Sequence, residues 1–297
     1  MINKITAISK KLKSKFYFDY DISKNIWFRT GGKALIFCIV YDSNELEIIL
    51  KNIGNMNYEI LGAGSNILVR DNGFDGIIFK LGKKFNKIIL HNSFIEVGAG
   101  ILDINLSKFA QLYKIKNFEF YSGIPGSIGG AVKMNAGCYG SETKDILKDV
   151  KIINSKCEFK NLSKKQIHLS YRSSSLQQGD IVISANYHCF FGDKEEISKK
   201  VNEIKLKRKD SQPLKTKTSG STFKNPKNNY AAKLIEMADC KNLNVGDAYV
   251  SDKHANFIIN TNNATAKQIE ELGNRIIDKV FDKFNIRLEW EIKIIGS

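Results

Sequence analysis

Apolar residues come in strand-length blocks through the first half of the chain and at helical spacing near its end. Residues 35–41, Leu-Ile-Phe-Cys-Ile-Val-Tyr, form a continuous apolar run that predicts a buried strand. Asp42 followed by Glu45 has capping-box spacing, and the helix it starts presents Leu46, Ile49 and Leu50 before Gly54 ends it. Tyr58–Arg70 reads as strand, glycine turn, strand; further strands are expected at Ile77–Leu81, Ile88–Leu90 and Phe94–Val97. Leu102–Tyr113 has helical spacing, with Ile104, Leu106, Phe109 and Leu112 inward. Residues 148–191 read as strands with turns, 195–209 as a charged helix, Ala231–Ala238 as a short helix and Ala255–Ile259 as a strand. Residues 265–284 carry Ile269, Leu272, Ile276, Val280 and Phe284 on one helical stripe, and 286–294 alternate strictly as a strand. The first 20 residues read as a basic helix or arm.

Strands cluster early and helices late, without the regular alternation of a doubly wound sheet, so the fold class is α+β. With 297 residues the chain is too long for one small core. The net charge of +15 fits lysines scattered over solvated helix faces or a field that attracts anionic ligands. No zinc-knuckle, helix-turn-helix or basic-aromatic arm accompanies it, so nucleic-acid binding has only the charge in its favour. Five widely spaced cysteines with no Cys-x-x-Cys pair imply reduced thiols and a cytoplasmic location. The basic N-terminus has no apolar core of a signal peptide, no run is long enough for membrane insertion, and the histidines lack metal-ligand spacing, so no metal is expected.

Two glycine-dense segments carry the chemistry. Gly62-Ala63-Gly64-Ser65-Asn66 lies between two apolar runs; an ordinary hairpin and a turn whose amides face a phosphate both satisfy it. It opens no helix as Gly-x-Gly-x-x-Gly, so a Rossmann site is not supported. The second segment is Ser122-Gly-Ile124-Pro125-Gly126-Ser127-Ile128-Gly129-Gly130-Ala131, followed by Asn135-Ala136-Gly137-Cys-Tyr-Gly140. Its proline and close-set glycines make a rigid turn, and Ile128 onward is placed to start a helix with its amides toward an anion.

Together these segments resemble the FAD-binding domain of the vanillyl-alcohol-oxidase superfamily. The resemblance narrows to the UDP-N-acetylenolpyruvoylglucosamine reductase (MurB) family, running from Asn25-Ile-Trp-Phe-Arg-Thr-Gly-Gly32 to Gly296. It implies a two-part FAD-binding domain of the PCMH type, residues 1–80 and 81–192, followed by an α+β substrate domain at 193–297. It also implies that Gly62–Asn66 and Ile124–Ala131 wrap the FAD pyrophosphate, with Asn135, Ala136 and Gly137 beside the flavin. The further implied partners are NADPH as reductant and a UDP-sugar enolpyruvyl ether as substrate, in peptidoglycan precursor synthesis.

Three polar segments match the family's active-site motifs. Leu169-Ser-Tyr171-Arg172-Ser-Ser174 supplies Arg172, whose planar fork suits a carboxylate, with Tyr171 beside it. Ser219-Gly-Ser221-Thr-Phe-Lys224-Asn225-Pro226 implies Ser221 as proton donor and Asn225 as a contact to the UDP-sugar. A hydroxyl is a weak acid, and either Arg172 or Lys224 is the cation expected to assist it. The last strand implies Glu291 as the acid or electrostatic group, with Glu289 as its rival. In Val250-Ser-Asp252-Lys-His254-Ala-Asn256 the family's glutamate is Asp252; His254 and Asn256 line the substrate cleft, or His254 is a structural histidine. Arg172 and Ser221 lie 49 positions apart with no spare βαβ unit between them, which resembles the family's shorter second type. Two rivals remain: another FAD enzyme of the superfamily, such as an oxidase, and a basic nucleic-acid-binding protein. Oligomeric state is not legible.

Overall fold

A computed structural model describes residues 2–297. In chain order the elements are α1 (Ile2–Ser9), β1 (Lys15–Asp21), β2 (Lys33–Val40), α2 (Ser43–Asn52), β3 (Tyr58–Ile60), β4 (Ile67–Val69), β5 (Phe74–Leu81), β6 (Ile88–Leu90), β7 (Phe94–Gly98), α3 (Asp103–Leu112), α4 (Ile128–Lys133), β8 (Gly137–Cys138), β9 (Ser141–Glu142), α5 (Thr143–Ile146), β10 (Leu147–Ile153), β11 (Phe159–Ser163) and β12 (Ile181–His188). There follow α6 (Lys194–Ser211), α7 (Ala231–Met237), β13 (Asn244–Val245), β14 (Ala248–Val250), β15 (Ile258–Asn260), α8 (Ala266–Phe284) and β16 (Lys293–Ile295). The α+β class expected from the pattern is what forms.

The chain divides into two compact units. One holds the N-terminal residues to Phe18 with Ile36–Ala63 and Gly76–Lys207; the other holds Asp19–Leu35, Gly64–Asp75 and Arg208–Ser297. Strands β1, β2 and β5 run from one into the other, so neither unit is one continuous stretch of chain.

In the first unit β11-β10-β12-β7-β6 form an antiparallel sheet. Its inward residues Ile95, Val97, Val150, Ala185 and Tyr187 pack with Leu106, Phe118, Tyr121, Ile128 and Val132 around one core. The α3 helix departs from expectation at both ends. Leu112 is exposed, whereas Asp103 and Ser107 are buried beside Leu106 and Ala110. The inward face is therefore rotated toward the helix's polar positions. At α2, Asp42 caps by accepting from the Glu45 amide. The reciprocal bond of a capping box is absent, because the Glu45 carboxylate accepts from the Lys13 amide and from the Ser14 amide and hydroxyl.

In the second unit β13-β14-β15 form an antiparallel sheet, and β16 pairs in parallel with β4. The α8 helix buries Ile269, Leu272, Ile276 and Val280 against Phe28, Leu68, Phe223, Leu288 and Ile292. Each such side chain contributes about 1.5–3 kcal/mol. Thr265 and Gln268 close a capping box at its start, and Asn285, at φ 54°, ends it. The alternating strand expected over 286–294 is shorter than its pattern: only Lys293–Ile295 is strand, with a single bridge from Trp290 to Phe223.

Candidate active site

The segment Tyr58–Arg70 is no hairpin. Strand β3 pairs in parallel with β5, and β4 pairs in parallel with β16, so the glycine turn joins strands of different sheets. Among the described residues, no backbone amide from Gly62 to Asn66 donates to a protein acceptor. Gly64 is buried within that turn. Buried amides without acceptors are costly, and successive ones make an anion-binding concavity. Beside them the half-buried Lys80 ammonium donates to the Gly62 carbonyl at 3.0 Å. Burial pushes the Lys80 pKa down, and no carboxylate pairs with it among the described residues.

Gly62 also joins the two glycine segments: a Cβ there would lie 2.3 Å from the Ser127 hydroxyl oxygen. The second segment does start a helix, α4, at Ile128. The amides of Ile128 and Gly129 are not turned toward an anion, however. They donate to the carbonyls of Ile101 and Ala99, closing an antiparallel bridge of Ser127 with Leu102. Beneath this turn the Asp103 amide donates to the Gly126 carbonyl, and a Cβ on Gly126 would lie 2.4 Å from Asp103 Oδ2. Asp103 is fully buried, neither of its carboxyl oxygens has a hydrogen-bond partner, and burial pushes its pKa well above the usual carboxylate range.

Asn135, Ala136 and Gly137 form a wall with the Tyr171-Arg172 motif. The Asn135 side chain is engaged inside the protein: its Nδ2 donates to Glu142 Oε2 and to the Ser170 carbonyl, and its Oδ1 accepts from the Lys144 amide. It therefore holds the turn rather than offering a free donor. The Ala136 carbonyl accepts from Thr143. Ser170 and Ser173 exchange backbone hydrogen bonds, and the tight turn between them sets Arg172 at φ 50°. The Arg172 guanidinium lies over the exposed Tyr171 ring at 5.1 Å, and Nη2 donates to the Gly137 carbonyl at 3.0 Å. The glycine-rich turn and the Tyr-Arg motif are thus one construction, brought together across 35 positions.

In the second unit, Ser221 sits on an irregular segment gripped from both sides. The Thr222 amide donates to the Asn256 carbonyl, while the Thr222 carbonyl accepts from the Glu291 amide at 2.8 Å. Phe223 exchanges hydrogen bonds with the buried Asn256 side chain and packs on Trp290 at 5.1 Å. Asn66 closes the arrangement: its Nδ2 donates to the Glu291 carbonyl at 3.0 Å, and its carbonyl accepts from the Lys293 amide. Asn66, Ser221 and Glu291 are therefore neighbours, and the half-buried Ser221 hydroxyl has no protein partner among the described residues.

The rival carboxylate has its own partner in the motif of Ser221. Glu289 is exposed and pairs with Lys224 at 3.3 Å. Asn225 Oδ1 accepts from the Ala231 amide at the start of α7. His254 lies against Phe257, and its Nδ1 accepts from the Asn256 amide. Burial holds its pKa below the ordinary histidine value, consistent with a neutral ring in that accepting role. It thereby supports the asparagine that fixes Phe223.

Comparisons with known proteins give the family. Residues 36–163 match the FAD binding domain family, and residues 212–295 match the family UDP-N-acetylenolpyruvoylglucosamine reductase, C-terminal domain. UDP-N-acetylenolpyruvoylglucosamine reductase of Rickettsia conorii is 41% identical over 286 residues, covering 96% of this chain and 97% of that one. That of Rickettsia typhi is 40% identical over 287 residues, with the same coverage of both chains. The crystal structure of the Thermus caldophilus enzyme superposes with a TM-score of 0.83 at 32% identity, covering 96% of this chain and 99% of that one.

The chain belongs to the UDP-N-acetylenolpyruvoylglucosamine reductase family. It is accordingly an FAD-dependent oxidoreductase, and its own residues fit the cofactor. The unpartnered amides of Gly62–Asn66 and the Lys80 ammonium suit a pyrophosphate. Among the described residues, no group of His, Cys, Asp and Glu is arranged to hold a metal ion, and no helix is long and apolar enough to cross a membrane. All five cysteines are free thiols. The sequence pattern gave no sign of Lys80, Asp103 or the Asn256 clasp. Lys80 lies on a β5 strand whose other residues read simply as buried or exposed, and Asp103 reads as an acid in a first helical turn, where acids are common.

Proposed function

We propose that this protein reduces UDP-N-acetylglucosamine enolpyruvate to UDP-N-acetylmuramate in the cytoplasm, with NADPH as reductant, for peptidoglycan and hence for cell shape and division. When bound, FAD supplies the hydride. Gly62–Asn66 and Lys80 hold its pyrophosphate; Gly126, Ser127 and Gly130 shape the facing turn, and Asn135 keeps the Ala136-Gly137 wall in place. Functionally the chain then reads as flavin-binding segments 1–80 and 81–192 and a substrate segment 193–297.

The substrate carbon that receives no hydride needs a proton, and Ser221 supplies it. Negative charge develops toward the substrate carboxylate as hydride arrives. Arg172 holds that charge, and electrostatic preorganisation of this kind is commonly the largest catalytic contribution. Glu291 acts as its protonated acid or through a bridging donor, since two bare anions would repel. Tyr171 frames Arg172, Asn225 and Lys224 meet the UDP-sugar, and His254 keeps the Ser221 segment rigid through Asn256.

The observation that supports this reading most is the pair of hydrogen bonds on the Glu291 backbone, to Thr222 and from Asn66, which ties the segment of Ser221 to that of Glu291 and both to Asn66. The test is Ser221→Ala with the two half-reactions followed separately. NADPH should bleach the flavin at the wild-type rate, while reoxidation by the enolpyruvyl substrate should fall by at least about 100-fold. Reoxidation at the wild-type rate would remove Ser221 from the role.

A further inference from the structure

Within the second unit, Trp27, Arg29, Lys215, Thr216 and Lys217 line a recess of about 260 Å³. Trp27 and Arg29 lie in the Asn25–Gly32 segment where the family resemblance begins, and none of the five has been given a role above. Its walls come from distant parts of the sequence and are fixed to one buried residue, Asn260, through its backbone and its side chain. The Asn260 amide donates to the Lys217 carbonyl at 2.9 Å, its Nδ2 donates to the Phe28 carbonyl at 2.8 Å, and its Oδ1 accepts from the Ala264 amide. The recess is thus a built feature rather than a chance approach of two loops.

Its charge is uncompensated. Arg29 Nη1 donates to the Lys24 carbonyl, Lys217 Nζ donates to the Asn262 carbonyl, and among the described residues no carboxylate pairs with Arg29, Lys215 or Lys217. Two of the three cations, Arg29 at φ 56° and Lys215 at φ 63°, sit in left-handed backbone, which ordinary side chains adopt only at some cost. Trp27 leaves 39% of its surface exposed at the same recess. A part-exposed indole beside three cations without carboxylate partners matches a nucleotide, whose base or ribose lies on an aromatic ring while its phosphate takes the charge. The Thr216 hydroxyl donates to the Pro213 carbonyl, so the polar recognition comes from the cations.

We propose that this recess binds the phosphate of a nucleotide substrate. The inference rests on the reading above, in which the protein handles two such molecules. One carries a 2′-phosphate and a pyrophosphate, the other a sugar diphosphate. Purified holoenzyme is titrated with NADP+, NAD+ and UDP, for the wild type, Lys215→Gln and the double variant Lys215→Gln/Lys217→Gln, with FAD content and melting temperature measured alongside. The single variant guards against structural loss at Lys217, which also bonds to Asn262. The expected result is about a tenfold loss of affinity in the double variant and a smaller loss in the single one, shrinking as salt rises. A loss for NADP+ but not NAD+ assigns the 2′-phosphate. A loss shared by both dinucleotides assigns their pyrophosphate, and a loss for UDP alone assigns the sugar diphosphate. Unchanged affinity for all three probes overturns the proposal, with or without loss of FAD. Flavin bleaching by NADPH and recovery with the enolpyruvyl substrate in the wild type would uphold the reductase reading independently of that outcome.

Discussion

Asp103→Asn should make the protein more stable, increasingly so as pH rises. Asp103 is fully buried, and neither carboxyl oxygen is hydrogen-bonded. The nearby Gly126 amide offsets only part of the burial cost, so the folded-state pKa is raised well above the ordinary carboxylate value. An acid whose pKa is higher in the fold than in the unfolded chain binds its proton more tightly when folded. Its contribution is therefore fully present below the unfolded pKa of about 3.9 and is lost as pH climbs toward the folded value. While the buried group stays protonated and the unfolded one ionises, each pH unit removes about 1.4 kcal/mol. Asparagine nearly matches the protonated acid in shape and does not ionise. Urea unfolding of both proteins at several pH values isolates this one group, because all other titrations cancel in the difference. The two should be close in stability near pH 4, and the gap should then widen in favour of Asp103→Asn with that slope. A gap independent of pH, or one favouring the wild type at pH 7, would show that Asp103 is not held protonated by its burial.

Two further outcomes are expected. Lys80→Met should weaken FAD binding by about tenfold, the usual loss for a charge-assisted hydrogen bond, in titrations of the apoprotein; affinity within twofold of wild type would take Lys80 out of the cofactor site. Glu289→Gln should leave flavin reoxidation within about twofold, because Glu289 is an exposed partner of Lys224, whereas Glu291→Gln should slow it by at least about 100-fold; the opposite ranking would exchange their roles.

How far the pattern of the chain reaches can be read from particular residues. The α8 stripe and the β2 run were plain, because amphipathic period and apolar continuity are local properties. Partners were not. The strands flanking Gly62–Asn66 look like a hairpin until each is seen to pair in parallel with a distant strand. Glu45 has capping-box spacing, yet its carboxylate goes to Ser14, 31 positions away. The same limit holds at the site. The motifs located Arg172, Ser221 and Glu291, but only the fold shows the Arg172–Gly137 bond and the Asn66 link to Glu291. It also shows Glu289 exposed and paired with Lys224, which alternation along a strand could not do. Asn135 and the first α4 amides show the converse: residues apt for a ligand by type are engaged by the protein itself.

In the proposed function, one bound flavin is reduced by NADPH and reoxidised by an enolpyruvyl ether of a UDP-sugar. The direct measurement is the visible spectrum of the purified protein under anaerobic conditions. The expected result is an oxidised flavin spectrum that NADPH bleaches and that stoichiometric UDP-N-acetylglucosamine enolpyruvate restores. A protein without flavin, or a bleached flavin that the enolpyruvyl substrate leaves reduced, would contradict it.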